Sequence, residues 1–497
     1  MPTEALLSAL VLTPGVVALL LLATPREAVR LQRWAALVAS LVTLAVAVVA
    51  WSRFDPTNPG FQFVEVRSWL PSVGIAYRLG MDGISLVLVL LTAFLQPLVF
   101  ISSWKPIHER VKGYLVSMLL LETGILGAFL ATDLFLFYVF WELMLLPMYF
   151  IIGVWGGDRR IYAAVKFVLF TLAGSLLMLV GIIYLSTLQH AKTGTWSFNY
   201  ADMLGLSIPM GEGFWHSPQM LLFAAFALAF AIKVPVFPLH TWLPDAHTEA
   251  PTGGSIILAG VLLKLGTYGL LRFNLPLFPE AWRQATPLFL ALAVIAIIYG
   301  ALVAWAQRDM KRLIAYSSVT HMGFIILGLF AGTLTSTQGA LIQMVNHGLS
   351  TGALFLLVGV IYDRRHTRMI EDFGGLAAVM PLYTGAFLIS TLASIGLPGL
   401  NGFVGEFLIL TGAFARHPTA VALATTGIVL GAVYMLSLVQ RVFWNALRHE
   451  ENRTLPDLTW QEVLAFAPMG TLMVWIGVHP GTFLSLSEAA VRRLIGG

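Results

Sequence analysis

The 497-residue chain contains no cysteine. That absence removes disulfides, thiolate-held iron–sulfur clusters, thiolate zinc sites and cysteine nucleophiles together, so any redox chemistry this chain serves is performed on another. Charge is scarce too: only 11% of residues are Asp, Glu, Lys or Arg, against about 25% in an ordinary soluble protein. No run of five like charges occurs and the formal balance is +4, so the chain has neither a nucleic-acid tract nor an acidic tail. GxxxxGK[ST] loops and HExxH pairs are missing as well, which excludes the usual nucleotide and zinc sites.

What fills the chain is apolar sequence, at 58% hydrophobic residues and a mean hydropathy of +0.83. No soluble core needs so many apolar residues relative to its surface. The expected fold is an all-α polytopic membrane protein. Runs of about 20 apolar residues, the length that crosses a bilayer, recur about fourteen times, at 4-23, 34-52, 83-103, 113-131, 134-154, 162-187, 219-239, 253-272, 286-306, 312-331, 336-362, 378-415, 419-444 and 461-487. The first run has Glu4 where a signal peptide carries Lys or Arg, and is expected to be retained as a span. Two longer polar connections, Ser52 to Met81 and Gln189 to Pro218, have room for a hairpin or an interfacial helix.

Cytoplasmic loops carry an excess of Lys and Arg. One set of alternate loops holds 17 of the 29 basic residues and the other set, with the chain end, holds 9. This split predicts an even number of crossings with both termini outside, hence periplasmic in a bacterial inner membrane. The remaining three, Lys166, Lys233 and Lys264, lie within spans.

Two spans are interrupted. Lys233-Val-Pro-Val-Phe-Pro238 breaks the seventh just after a lysine, and Ile395-Gly-Leu-Pro-Gly-Leu-Asn-Gly402 breaks the twelfth just before Glu406. Proline removes a backbone donor and the freed groups must face protein or water. The breaks lie five spans apart, and an odd offset reverses orientation. The pattern predicts two inverted five-helix repeats, helices 4-8 over 113-272 and helices 9-13 over 285-445, between a three-helix leader (1-112) and a closing helix (446-497), with a pathway between the halves.

An ionised side chain at mid-bilayer costs at least roughly 2.5–3.5 kcal/mol on insertion scales, so each one in a span demands a purpose. Glu142, Lys233, Lys264, His321, His347 and Glu406 all qualify, and each can carry a proton. The two histidines lie at similar depth in adjacent spans among hydroxyl and amide groups, as a relay requires. Glu122 and Lys166 are weaker candidates, Lys166 being within reach of the interface. His240, His247, Asp245 and Glu249 follow the first break, where solvation is the default expectation. Such a series suits a proton or small cation as cargo.

The runs Phe140-Trp-Glu-Leu-Met-Leu-Leu-Pro-Met-Tyr-Phe150, Lys233 to Pro251 and Gly254 to Gly269 resemble the antiporter-like membrane subunits of proton-pumping NADH:quinone oxidoreductase, respiratory complex I. The resemblance covers at least Gly80 to Phe483. Within that family the twelfth-span charge is lysine in the L and N types and glutamate in the M type; here it is Glu406. The absence of a long lateral helix after the last span agrees with the M type.

The resemblance implies that Glu142 and Lys233 form a switching ion pair, Lys264 is the central carrier, and His321 and His347 join it to Glu406 at the end of the second half-channel, with His240 and Glu122 as further candidates. It implies no cofactor in this chain, with NADH, FMN, iron–sulfur clusters and quinone on partner subunits. The implied partners are the L-type and N-type paralogues, the lipid bilayer and protons. A free lysine has a pKa near 10.4, and releasing its proton near pH 7 requires roughly 4 kcal/mol. Burial works in that direction and a neighbouring carboxylate against it, so moving Glu142 away from Lys233 would turn a holder of protons into a donor. The alternatives are a Mrp-type cation/proton antiporter subunit, the membrane subunit of a related ferredoxin- or hydrogenase-linked complex, and a structural scaffold.

Overall fold

A computed structural model describes residues 5–496. Helices α1 (Leu6–Leu22) and α2 (Val29–Arg53) lead into a two-stranded antiparallel hairpin, β1 (Gln62–Leu70) and β2 (Ile75–Met81), turned at Gly74 with φ +74°. Then come α3 (Gly83–Ser102), α4 (Val111–Leu130), α5 (Leu134–Trp155) and α6 (Arg160–Thr193). The short α7 (Tyr200–Leu204) precedes α8 (Pro218–Lys233) and α9 (Trp242–Glu249). The second half holds α10 (Thr252–Leu277), α11 (Pro279–Trp305), α12 (Met310–Phe330), α13 (Leu334–Arg365), α14 (Pro381–Ser394), α15 (Asn401–Phe414), α16 (Pro418–Trp444), α17 (Trp460–Val478) and α18 (Gly481–Ile495). Among the described residues eleven helices are long and apolar enough to cross a membrane, and α1, α8 and α15 are shorter apolar helices. The hairpin and α7 occupy the two polar connections that had room for them.

Local chemistry starts many of these helices. Asp82 with Ser85, Thr333 with Ser336 and Thr459 with Glu462 form capping boxes, and Ser217 caps α8 with Pro218 in its first turn. Asp133 caps α5 and Asp309 caps α12, each accepting two backbone N–H groups. Asp133 also makes an antiparallel bridge to Asn199, beyond α6, and Asp309 makes one to Met369, beyond α13. The same device thus occurs at the second helix of each expected five-helix unit.

Burial decides which helices form the centre. The most apolar windows of α10 and α13 are fully buried, whereas those of α16 and α17 are one-third buried. A helix buried all round must be apolar all round, so a charged group on α10 or α13 has protein on every side. Both ends of the described chain lie on one face: Glu65 of β1 accepts from the amides of Leu7 and Ser8, and Arg493 lies beside Gly60 of the same connection.

One boundary is corrected. The last apolar run, read as 461-487, ends as a helix at Val478, because His479 and Pro480 stop it. The remainder of the run belongs to α18, a separate amphipathic helix with Leu486, Ala490 and Val491 buried and Arg492 and Arg493 exposed.

Candidate functional site

Both interrupted spans break where proline and glycine predict. After Lys233 the chain leaves the helix through Pro235 and a cis Phe237–Pro238 bond. The carbonyls freed there find partners: Ala231 accepts from the Val236 amide at 2.9 Å and Ile232 from the Trp242 indole at 2.8 Å. At the second break Gly396 and Gly399 adopt φ of +74° and +94°, which a side chain would resist. Asn346 of α13 and Asn401 of α15 hold this break to α13 by donating to each other's backbone carbonyls, at 2.6 and 3.2 Å.

The central helix α10 carries two π-helical stretches, Leu258–Leu262 and Leu270–Asn274, and Lys264 sits just after the first. Such turns leave carbonyls off the regular ladder and are frequent at functional sites. The Lys264 ammonium donates to the carbonyl of Ala259 and lies 2.6 Å from His347 Nδ1 of α13. Two glycines permit this approach: a Cβ on Gly348 would stand 2.7 Å from the Gly260 carbonyl oxygen, so α10 and α13 meet backbone to backbone. The His347 ring lies 5.5 Å from that of His321 on α12. His321 Nδ1 is 3.1 Å from Glu406 Oε1, and its Nε2 is 3.1 Å from the Ser394 hydroxyl. Gln343 donates to the same carboxylate oxygen at 3.3 Å. Lys264, His347, His321 and Glu406 thus form one buried series from the central helix to the second break.

The other end is built differently. Lys233 is buried among rings, 5.1 Å from the centre of Trp141 and 5.4 Å from that of Phe167, where cation–π attraction replaces some lost hydration. Among the described residues it has no ion pair within 4.0 Å. Glu142 lies half-buried on α5, its Oε1 enclosed without a hydrogen-bond partner. Helix α8 packs on α10 at Gly266, where a Cβ would stand 2.9 Å from the Val234 amide nitrogen.

Several polar residues differ from expectation. His240 and His247, expected to be solvated, are buried. Among the described residues His240 Nδ1 has no hydrogen-bond partner, and its ring meets those of Phe237 and Tyr299. Neither His247 nitrogen has one, and the ring stacks on Phe355 at 4.6 Å. Lys166, partly exposed, pairs with Asp245 at 2.7 Å. Lys311, read as a loop residue, is buried, donates to the Ala250 carbonyl and lines a cavity of about 190 Å³ with Glu249, Asp363 and Arg368. That cavity opens on the face opposite the chain ends. Glu122 is buried, and among the described residues both its oxygens are unpartnered, so it hydrogen-bonds to none of the six. The sequence Gly348-Leu-Ser-Thr-Gly352 matches the Gly-x-Ser-x-Gly pattern, but it lies inside α13 with Ser350 bonded to the Asn346 carbonyl, so it forms no nucleophile elbow. Among the described residues no group of three His, Cys, Asp or Glu could hold a metal.

The family described as "NADH:quinone oxidoreductase/Mrp antiporter, TM" matches residues 131–431. NADH-quinone oxidoreductase subunit M of Rhodobacter capsulatus is 47% identical over 470 residues, covering 93% of this chain and 90% of that protein. A chain in the structure of respiratory complex I from Thermus thermophilus with bound NADH aligns with a TM-score of 0.86 at 36% identity, covering 99% of this chain and 100% of that one. A chain of the Mrp complex from Dietzia sp. aligns with a TM-score of 0.85 at 21% identity, covering 100% and 98%, a likeness of fold alone.

Proposed function

The chain belongs to the NADH:quinone oxidoreductase/Mrp antiporter transmembrane family, and on that premise we propose that it is the M-type, proton-translocating membrane-arm subunit of an NADH:quinone oxidoreductase. It performs no redox step itself. NADH, flavin, iron–sulfur and quinone chemistry belongs to partner subunits, among them L-type and N-type paralogues beside it in the bacterial inner membrane. Fourteen crossings, with both termini periplasmic, agree with the 17-to-9 split of basic residues and with both chain ends lying on one face. The paired Asp133 and Asp309 caps, each bridged to the loop after the third helix of its unit, support two inverted five-helix repeats.

One observation carries the mechanism: the series Lys264, His347, His321, Glu406, with contacts of 2.6 and 3.1 Å at its ends. Protons would enter from the cytoplasmic cavity past Lys311 and His247 to Lys264, cross the two imidazoles, and leave from Glu406 towards the periplasm. The Glu142–Lys233 pair sets the direction. With Glu142 close, the Lys233 ammonium is held; with Glu142 withdrawn, burial away from water favours the neutral amine, and the proton moves on. Quinone chemistry elsewhere supplies the energy by changing which arrangement is stable.

The test uses the intact complex in proteoliposomes with NADH and quinone. Glu142→Gln or Lys233→Ala should remove most proton uptake coupled to NADH oxidation while the complex still assembles. Normal pumping in either variant would end the switching role. Sodium-dependent transport without NADH would instead favour an antiporter of the Mrp kind.

A further inference from the structure

Where α2, α3, α13 and α17 meet beneath α18, they leave a crevice of about 170 Å³ whose lining, including Leu44, Val48, Leu90, Phe94 and Leu472, is almost wholly apolar. A cavity of about 150 Å³ lined by such residues already holds a benzene ring. The crevice is far too narrow for a helix, whose diameter is about 10–12 Å, so a partner's transmembrane helix cannot fill it. It opens sideways into the bilayer, since Val48 and Trp475 at its edge are each 43% exposed. Trp51 joins Trp475 there, the residue type that marks the boundary of the hydrocarbon layer.

The amphipathic helix α18 roofs this crevice. Its Phe483 and Leu486 line it, and the Leu486 carbonyl lies against Gly83, where no side chain would fit. A second cavity, of about 850 Å³, lies further along α18 and is walled by Pro56, Pro59, Glu488, Arg492 and Arg493. The two cavities lie along neighbouring stretches of the same elements: α2 and its following turn on one side, α18 on the other. Arg492 is held by Glu488 at 2.8 Å, and Arg493 is exposed beside Gly60. An apolar slot thus lies beside a more open recess carrying one net positive charge.

We propose that these neighbouring cavities together are a site for one anionic phospholipid, with an acyl chain in the crevice and the phosphate facing Arg493 and Arg492. The lipid would seal the seam between α2 and α17 and fix α18 to the membrane surface. This assignment stands apart from the proton path, and its success or failure leaves that reading untouched.

The experiment is photolabelling of the intact complex in nanodiscs. The probe is phosphatidylglycerol with a diazirine in mid-chain, compared with phosphatidylcholine carrying the same chain, and labelled peptides are mapped by mass spectrometry. One basic side chain near a membrane surface favours an anionic headgroup about fivefold. Phosphatidylglycerol should therefore label the peptides around Val48, Leu90 and Leu472 about five times more than phosphatidylcholine does. Arg492→Gln with Arg493→Gln should remove that preference while leaving labelling by phosphatidylcholine. Val48→Trp, at the lipid-facing mouth, should remove labelling of the crevice by both lipids. Equal labelling by both lipids in the native complex, or labelling that Val48→Trp leaves unchanged, would mean ordinary boundary lipid and overturn the proposal. So would protection of these peptides by a neighbouring subunit.

Discussion

Replacing His321 tests whether the buried series carries protons or merely packs. Its imidazole bridges the His347 ring, 5.5 Å away, and Glu406 Oε1, 3.1 Å away. A proton passes between heavy atoms about 2.6–3.2 Å apart, and His321→Ala removes the titratable group that stands between His347 and Glu406. Loss of a positioned acid–base group slows transfer by about 10²–10⁴-fold, enough to silence this path on the timescale of turnover. The alanine variant also leaves Glu406, among the described residues, with one long donor, Gln343 at 3.3 Å, and leaving a buried polar group short of a partner costs about 1–3 kcal/mol. A lower melting temperature would therefore accompany its defect. His321→Gln separates the two effects, because its amide can still donate to Glu406 but cannot take up and release a proton near neutral pH. Proton uptake per NADH oxidised, measured in proteoliposomes beside the thermal stability of the complex, is the assay. The glutamine variant should be as stable as the parent and as deficient in pumping as the alanine variant. A glutamine variant that pumps normally would show that His321 only positions Glu406, and the relay would be wrong.

Two further outcomes are expected from the same geometry. His247→Phe keeps the stack on Phe355 but removes both unpartnered nitrogens, so the complex should assemble normally and pump at a fraction of the parent rate; unchanged pumping would exclude His247 from the inlet. Gly396→Ala adds a side chain at φ +74°, with its Cβ 3.1 Å from Glu406 Oε2; it should cost about 1–3 kcal/mol in stability, read as a lower melting temperature, and slow proton release, whereas a silent variant would deny that the break shapes the carboxylate's surroundings.

How far the site can be read from sequence depends on contrast. Lys264 or His347 inside an apolar run is conspicuous, because nothing but function or a partner justifies it, and both lie on the fully buried helices. Both breaks announce themselves through proline and glycine. His247 and Lys311 are obscured by their neighbours: they sit in segments dense with Pro, Asp, Glu and Arg, which read as solvated connections. Their burial comes from packing between parts of the chain far apart in sequence, His247 against Phe355 and Lys311 against the Ala250 carbonyl. No local window contains that information. The end of α17 is legible in His479 and Pro480, but the apolar residues on both sides hide it. The π-helical turns beside Lys264 have no sequence signal, since they arise from how α10 is seated among its neighbours.

The two ends of the path are out of step. Lys264 meets His347 and His321 meets Glu406, but His347 Nε2 has no hydrogen-bond partner among the described residues, and Lys233, with no ion pair within 4.0 Å among them, rests between Trp141 and Phe167. A proton conductor joined at every point would be a leak, short-circuiting the gradient it serves. Closed contacts alternating with open gaps are the arrangement of a lock on a canal, where one gate stands shut while the other is open.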